Sequence, residues 1–198
     1  MLSDVSYDVV ALASGTGTLV KALIDAQAGG HLKARVVAVG VDRVAPVQQI
    51  ARQAGLATFS VFPKDFSDRS TWNRALASAV GAFNPDLVIS AGFMRLLGPE
   101  FLEVFGTRTI NTHPSLLPMF PGAHAVRDAL AAGARMTGCT VHKIDAGVDT
   151  GPVIAQRMVA VDNNDTEETL HERIKVQERA MLVEVVNRLA TGRLKLPD

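Results

Sequence analysis

Three polar segments interrupt an otherwise apolar chain. In the run 109–118, Thr-Ile-Asn-Thr-His-Pro-Ser-Leu-Leu-Pro, an amide and an imidazole break the end of an apolar strand. Alternation along a strand sends Asn111 and His113 to the same side of the backbone, where a hydrogen-bond donor and a proton-transfer group can address one reacting centre. Pro114 then stops the strand, and strand ends of an open α/β sheet are where ligands bind. The second segment, 145–152, Asp-Ala-Gly-Val-Asp-Thr-Gly-Pro, reads as a loop carrying two carboxylates, Asp145 and Asp149. Taken alone, it is equally a turn capped by its own Asp side chains. The third, Ser14-Gly15-Thr16-Gly17-Thr18, follows an apolar strand and opens a helix, so its amides face outward where the helix dipole is positive. Phosphate is the natural guest of such a loop. A dinucleotide fingerprint is the rival, with Asp42 ending the second strand at about the right spacing; its third glycine would fall at Val20, whose side chain obstructs close helix packing.

Other chemistry-bearing residues fit no known arrangement. Cys139 and His142 are three apart in a strand pattern and so lie on opposite faces, which argues against a thiol-imidazole pair; both read as structural. Ser115 lacks the strained G-x-S-x-G elbow of serine hydrolases. The five histidines show no H-E-x-x-H spacing and Cys139 is the only cysteine, so no metal is predicted. Trp72 reads as helix packing. Lys175 and Glu178, at i,i+3 on the closing helix, read by spacing alone as a surface ion pair.

The elements that position these residues follow from periodicity. Short apolar runs at 7–13, 35–41, 58–62, 86–91, 108–113, 137–144 and 152–161 read as strands. A helical pattern over 19–28 puts Leu19, Leu23 and Ala26 on one face and ends at Gly29-Gly30. Strand-helix alternation over about the first 110 residues predicts a doubly wound parallel sheet, and the helix-poor second half predicts antiparallel additions to it. The last helix is expected to be capped by Asp165 with Glu168 reaching back, and to bury Leu170, Ile174, Met181, Val185 and Leu189; the tail from Leu194 is expected to be loose.

Composition sets the limits. At 198 residues the chain is long enough for one core, and a single domain is expected, its doubly wound half over about 1–110 and its remainder over about 111–198. Apolar residues make up 47% and aromatics 5%, the balance of a core built from Val, Leu, Ile and Ala. Twenty Lys and Arg offset twenty Asp and Glu, leaving no field that would gather a nucleic acid or a membrane surface. The start of the chain shows no targeting pattern, no stretch is long enough to cross a bilayer, and the lone cysteine suits a reducing cytoplasm.

Asn111-Thr112-His113-Pro114-Ser115-Leu116-Leu117-Pro118, followed by Asp149-Thr150-Gly151-Pro152, resembles the signature of the folate-dependent formyltransferases. The 14–18 loop, Gly92-Phe93-Met94-Arg95-Leu96-Leu97 and the closing helix narrow the resemblance to the branch that formylates glycinamide ribonucleotide in purine synthesis. It covers nearly the whole chain. The resemblance implies a Rossmann-like fold, 10-formyltetrahydrofolate as co-substrate, and direct attack by the substrate amine through an oxyanion. Asn111 matches the donor to that oxygen, His113 the source of a further hydrogen bond or proton, and Asp149 the carboxylate that steadies the imidazole and helps move a proton through water. It places the nucleotide on Gly17, Thr18, Leu19, Lys175 and Glu178. Relatives often carry Ser-Asn where this chain has Thr18-Leu19, a change that spares backbone contacts but not a side-chain contact from the second position. The folate is placed against Arg69, Met94, Arg95, Leu96, Leu97, Asn111, Asp145, Ala146, Gly147, Val148 and Asp149, and relatives carry a cis bond at Leu117-Pro118. A homodimer is compatible on general frequency alone. Of the neighbouring activities, formylation of methionyl-tRNA would call for an added RNA-binding domain, and hydrolysis of formyl-folate has no use for a phosphate loop. A dinucleotide-dependent oxidoreductase is the reading from another class, and Val20 opposes it.

Overall fold

A computed structural model describes residues 6–197; residues 1–5, on which the reading of the chain's start falls, and Asp198 lie outside the described residues. Seven strands form one sheet: β1 (Asp8–Ala13), β2 (Arg35–Val41), β3 (Ala57–Ser60), β4 (Leu87–Ser90), β5 (Thr109–His113), β6 (Met136–Lys143) and β7 (Val153–Ala160). Their order is β3-β2-β1-β4-β5-β6-β7. The pairs through β5 are parallel, whereas β5 to β6 and β6 to β7 are antiparallel. Among the described residues six α-helices cover the faces: α1 (Thr18–Ala28), α2 (Val47–Gln53), α3 (Arg69–Gly81), α4 (Pro99–Phe105), α5 (Ala125–Ala131) and α6 (Glu167–Ala190). The expected mainly parallel sheet with an antiparallel extension is the architecture observed.

β1 reads Asp-Val-Val-Ala-Leu-Ala and is buried along nearly its whole length. Such a continuous apolar run is what a central parallel strand covered on both faces requires. On one side Val9, Ala11, Leu23 and Val36 meet the α6 stripe Leu170, Ile174, Met181, Val185 and Leu189. On the other, Val10, Leu12 and Val88 meet Trp72, Leu76, Phe101 and Phe105 of α3 and α4. Each fully buried aliphatic side chain contributes about 1.5–3 kcal/mol of transfer free energy, so two such layers hold the sheet ends in fixed relation. Trp72 is helix packing, as its pattern predicts: it is 3% exposed, its ring lies 6.4 Å from that of Phe93, and its Nε1 donates to the Val61 carbonyl.

Two details of α6 and the tail depart from expectation. Thr166, not Asp165, caps the helix; its hydroxyl accepts from the Thr169 amide while the Thr169 hydroxyl accepts from the Thr166 amide. The Asp165 carboxylate is drawn away because Arg173 donates to both of its oxygens at 2.6 Å, and those bonds hold it well below the usual carboxylate range. Nor is the tail loose as far as Pro197. Leu194 and Leu196 pack on the core, and Lys143 Nζ donates to the Pro197 carbonyl at 2.7 Å.

The sheet order reverses between β1 and β4, so the loops that follow these two strands part around a crevice at their carboxyl ends. The loop after β1 is the glycine segment; the loop after β4 is Gly92 to Leu97. They touch there, with the Ser14 amide donating to the Gly92 carbonyl at 3.1 Å and the Ser14 hydroxyl accepting from the Met94 amide at 2.8 Å. Among the described residues no helix is long and apolar enough to cross a membrane.

Candidate active site

Asn111 and His113 stand on one side of β5 near its carboxyl end. The antiparallel partner β6 sets His142 directly opposite Asn111. Asp149 arrives from the long β6–β7 connection, in a left-handed backbone conformation with φ 54°. Its carboxylate spans the cluster: Oδ2 lies 3.3 Å from His113 Nδ1 and accepts from the Gly122 amide at 2.8 Å, while Oδ1 lies 3.5 Å from both Asn111 Nδ2 and His142 Nε2. The three residues singled out in the sequence therefore converge, although 38 positions separate Asn111 from Asp149.

Hydrogen-bond accounting defines the two rings. His142 Nδ1 lies 2.9 Å from the Lys143 carbonyl, which can only accept, so this nitrogen donates. A neutral ring then leaves Nε2 to accept from Asn111 Nδ2 at 3.1 Å, whereas a ring with a second proton donates from Nε2 to Asp149 Oδ1, 3.5 Å away. His113 Nε2 likewise faces an acceptor, the Phe120 carbonyl at 2.8 Å, while its Nδ1 faces Asp149. Both contacts of His113 are satisfied together only when the ring carries two protons. Burial pushes Asp149 upward, but the bond from His142, the Gly122 amide and the charge of His113 together outweigh it and hold this carboxyl below its ordinary value. The cluster thus keeps an ionised carboxylate beside two imidazoles.

His142 corrects its reading as structural. It is 2% exposed, yet it orients Asn111 and touches Asp149. Its signal was available in principle, since an antiparallel β6 places one of its residues against Asn111, but the register that selects His142 is not written in the local pattern. Cys139 does face the other way, into the core; burial pushes its thiol up to about 12, which removes it as a nucleophile. Ser115 is fully buried and donates to the Met119 carbonyl at 2.5 Å, and the Leu117-Pro118 peptide that follows is cis. Among the described residues no group of three or more His, Cys, Asp or Glu side chains is placed to hold a metal.

The glycine loop is shaped for an anion by its backbone. Gly17 precedes α1 with φ 74°, and a Cβ there would collide with Val47 Cγ2, so glycine answers both a left-handed turn and a close approach. No side chain caps α1, which leaves the amides of its first turn available. Thr18 is exposed; the Leu19 side chain is buried and offers a ligand only its backbone. Thr18 also lines an open cleft of about 650 Å³ with Val176 and Arg179 of α6. Val20 packs fully buried and Asp42 is engaged by two arginines, both of which count against a dinucleotide site.

Glu178 corrects its reading as half of a surface pair. It is 5% exposed on the buried stripe of α6, and Lys175 Nζ instead donates to Glu172 at 2.7 Å. Burial pushes the Glu178 carboxyl above its ordinary value, and Thr112 faces it from β5, between Asn111 and His113. The Thr112 hydroxyl has no hydrogen-bond partner of its own. A buried carboxyl and an unpaired hydroxyl thus meet on the face of β5 away from Asn111.

The Gly92 to Leu97 loop is braced from α3. Arg69 Nη2 donates to the Leu96 carbonyl at 2.7 Å, and Asn73 Oδ1 accepts from the Gly98 amide at 2.8 Å. Arg69 accordingly joins the loop it was grouped with, and Asn73 is a supporting residue that sequence reading missed. Met94 and Leu96 are exposed, 68% and 49%, while Leu97 is buried. Residues 145–148 are exposed in their own turn, held by Asp145 Oδ1, which accepts from the Gly147 amide and the Thr150 hydroxyl.

A glycine loop before α1, the Gly92 to Leu97 loop at the switch point and an Asn-His-Asp cluster on an antiparallel extension make up the architecture of a group-transfer enzyme of the formyltransferase type. The sequence pattern of the formyl transferase family matches residues 7–186, and the chain belongs to that family. Within it, the chain is 56% identical over 183 residues to a phosphoribosylglycinamide formyltransferase of Mycobacterium tuberculosis, covering 92% of this chain and 85% of that protein. It is 39% identical over 192 residues to the phosphoribosylglycinamide formyltransferase of Escherichia coli, covering 96% and 91%. The solved structure of glycinamide ribonucleotide transformylase 1 from Symbiobacterium toebii superposes with a TM-score of 0.93 at 38% identity, covering 98% of this chain and 95% of that one.

Proposed function

We propose that this protein transfers the formyl group of 10-formyltetrahydrofolate to the amine of glycinamide ribonucleotide, giving formylglycinamide ribonucleotide and tetrahydrofolate, a step of purine synthesis. The observation that carries the reading is the meeting of Asn111, His113 and Asp149 at one point, at the same carboxyl-end edge of the sheet as the glycine loop and the Met94–Leu97 loop. The substrate amine attacks the formyl carbon and the carbonyl electron pair moves to oxygen. Asn111 Nδ2 meets that oxygen with the N–H whose 3.5 Å contact to Asp149 is long enough to be surrendered. His113, whose Nδ1 lies 3.3 Å from the Asp149 carboxylate, would supply a further hydrogen bond or the proton to the developing charge. The attacking nitrogen then loses a proton, which reaches the folate N10 through Asp149 and water as the carbon-nitrogen bond to the carrier breaks.

The nucleotide phosphate would rest on the amides of Gly17, Thr18 and Leu19, and Glu178 would meet its ribose or glycinamide end. Lys175 is held by Glu172, so it would add charge to that pocket rather than a fixed bond. The folate would lie against Arg69, Met94, Arg95, Leu96 and Leu97, with the backbone of Asp145, Ala146, Gly147, Val148 and Asp149 reading the pterin edge. Loss of 10-formyltetrahydrofolate, followed with and without glycinamide ribonucleotide, tests the assignment. Turnover that depends on the nucleotide is expected; equal turnover without it would make the protein a hydrolase.

A further inference from the structure

Asp42 directly follows β2 with its carboxyl group fully enclosed, yet no step of the transfer uses it. Two cations converge on it: Arg95 Nε donates to Oδ2 at 2.8 Å and Arg43 Nη2 donates to the same oxygen at 2.9 Å. Burial pushes the Asp42 carboxyl up, but the bonds from Arg43, Ser14 and Arg95 prevail, so the group stays ionised. Arg95 belongs to the loop after β4. Five residues after Asp42, Val47 begins α2 and packs on the other loop: its amide donates to the Gly15 carbonyl at 3.3 Å, and its side chain fills the space that a Cβ on Gly17 would need. The connector 42–47 therefore grips the donor-side loop at one end and the phosphate loop at the other. The Ser14 hydroxyl, accepting from the Met94 amide, makes a second direct stitch between the same loops.

The geometry points to Asp42 as a positioning residue that couples the two substrate sites, so that a ligand ordering one loop raises affinity at the other. This rests on the reading of those loops as nucleotide and folate sites. Contacts that join two sites through shared rigid partners produce reciprocal coupling, and such couplings are typically about 5- to 150-fold. Substitution of Asp42 would leave each pocket's own lining in place while cutting the link.

The test is calorimetric titration of the full-length protein with tetrahydrofolate, alone and with saturating glycinamide ribonucleotide, a pair that cannot react because no formyl group is present. In the unsubstituted protein the nucleotide is expected to tighten folate binding by about 5-fold or more. Asp42→Asn, which keeps the shape and removes the charge, is expected to bring that ratio close to one. Arg95→Gln opens the same link from its exposed end and should do likewise if Asp42→Asn fails to fold; any direct hold of Arg95 on the folate weakens both titrations alike and cancels in the ratio. A ratio of one in the unsubstituted protein, or an undiminished ratio in a folded variant, overturns the coupling while the functional reading stands. Failure of the unsubstituted protein to bind either ligand overturns both.

Discussion

On the proposed assignment the glycine loop offers a ligand its backbone, whereas the centre around Asn111 offers side chains. At the parallel end of the sheet the groups open to a ligand are amides of the first turn of α1, aimed by Gly17 and by the packing of Val47; the Leu19 side chain is turned into the core. At the antiparallel end, an amide, two imidazoles and a carboxylate are held in a mutual hydrogen-bond network by β5, β6 and the loop bearing Asp149. Backbone binding tolerates change in residue type because every residue except proline carries an N–H. A side-chain network does not, because each member supplies a group that no neighbour can replace.

Substitutions at the two ends should therefore differ in size and kind. His113→Ala should lower kcat by roughly 10²–10⁴ with a smaller change in KM for either substrate, read by steady-state kinetics; a rate within a few-fold of the unsubstituted enzyme would erase the contrast. Asn111→Ala should cost roughly 10²–10³ in kcat as an oxyanion donor is removed. Gly17→Ala should act through the fold instead. A left-handed residue with its Cβ against Val47 costs about 1–3 kcal/mol of stability, seen as a shifted denaturation midpoint, and the KM for the nucleotide should rise with it.

Acid titration sharpens the same contrast. The Asp149 carboxyl is held below its ordinary value, so the stability it contributes is present above the unfolded value of about 3.9 and is lost as pH falls through the lower folded one. The gap in Tm between the unsubstituted protein and Asp149→Asn should accordingly narrow as pH is lowered from about 7 towards about 3. A gap that stays constant would mean that the carboxylate's charge is not what binds the cluster together. The smallest effect is expected from Thr18→Ala, which removes one exposed hydroxyl but leaves the amide: KM for the nucleotide should rise by no more than about 10-fold, the worth of one hydrogen bond.

The pairing of Asn111 with His113 was legible because alternation is local. Asn111 and His113 share a side of β5 whatever surrounds them, and the apolar runs of β1, β2 and β4 announce a buried parallel sheet without knowledge of its neighbours. The α6 stripe was legible for the same reason, but its cap was not: Asp165 and Thr166 are both good caps, and only Arg173, eight residues away on the folded helix, decides between them. Glu178 misled in a similar way. Its spacing from Lys175 suits a surface pair, and nothing local says that this turn of α6 faces β5 rather than solvent.

By itself, then, the sequence determined the strands, the helix stripes, the anion-binding turn and the family signature, since each follows from the chain's period or from residues a few positions apart. Tertiary structure alone decided that His142 stands against Asn111, that Asp149 reaches His113, and that Asp42 is closed over by Arg95. Those contacts depend on the register of antiparallel strands and on the path of a long loop, which are set by summed packing over the whole sheet rather than by any segment's own preference.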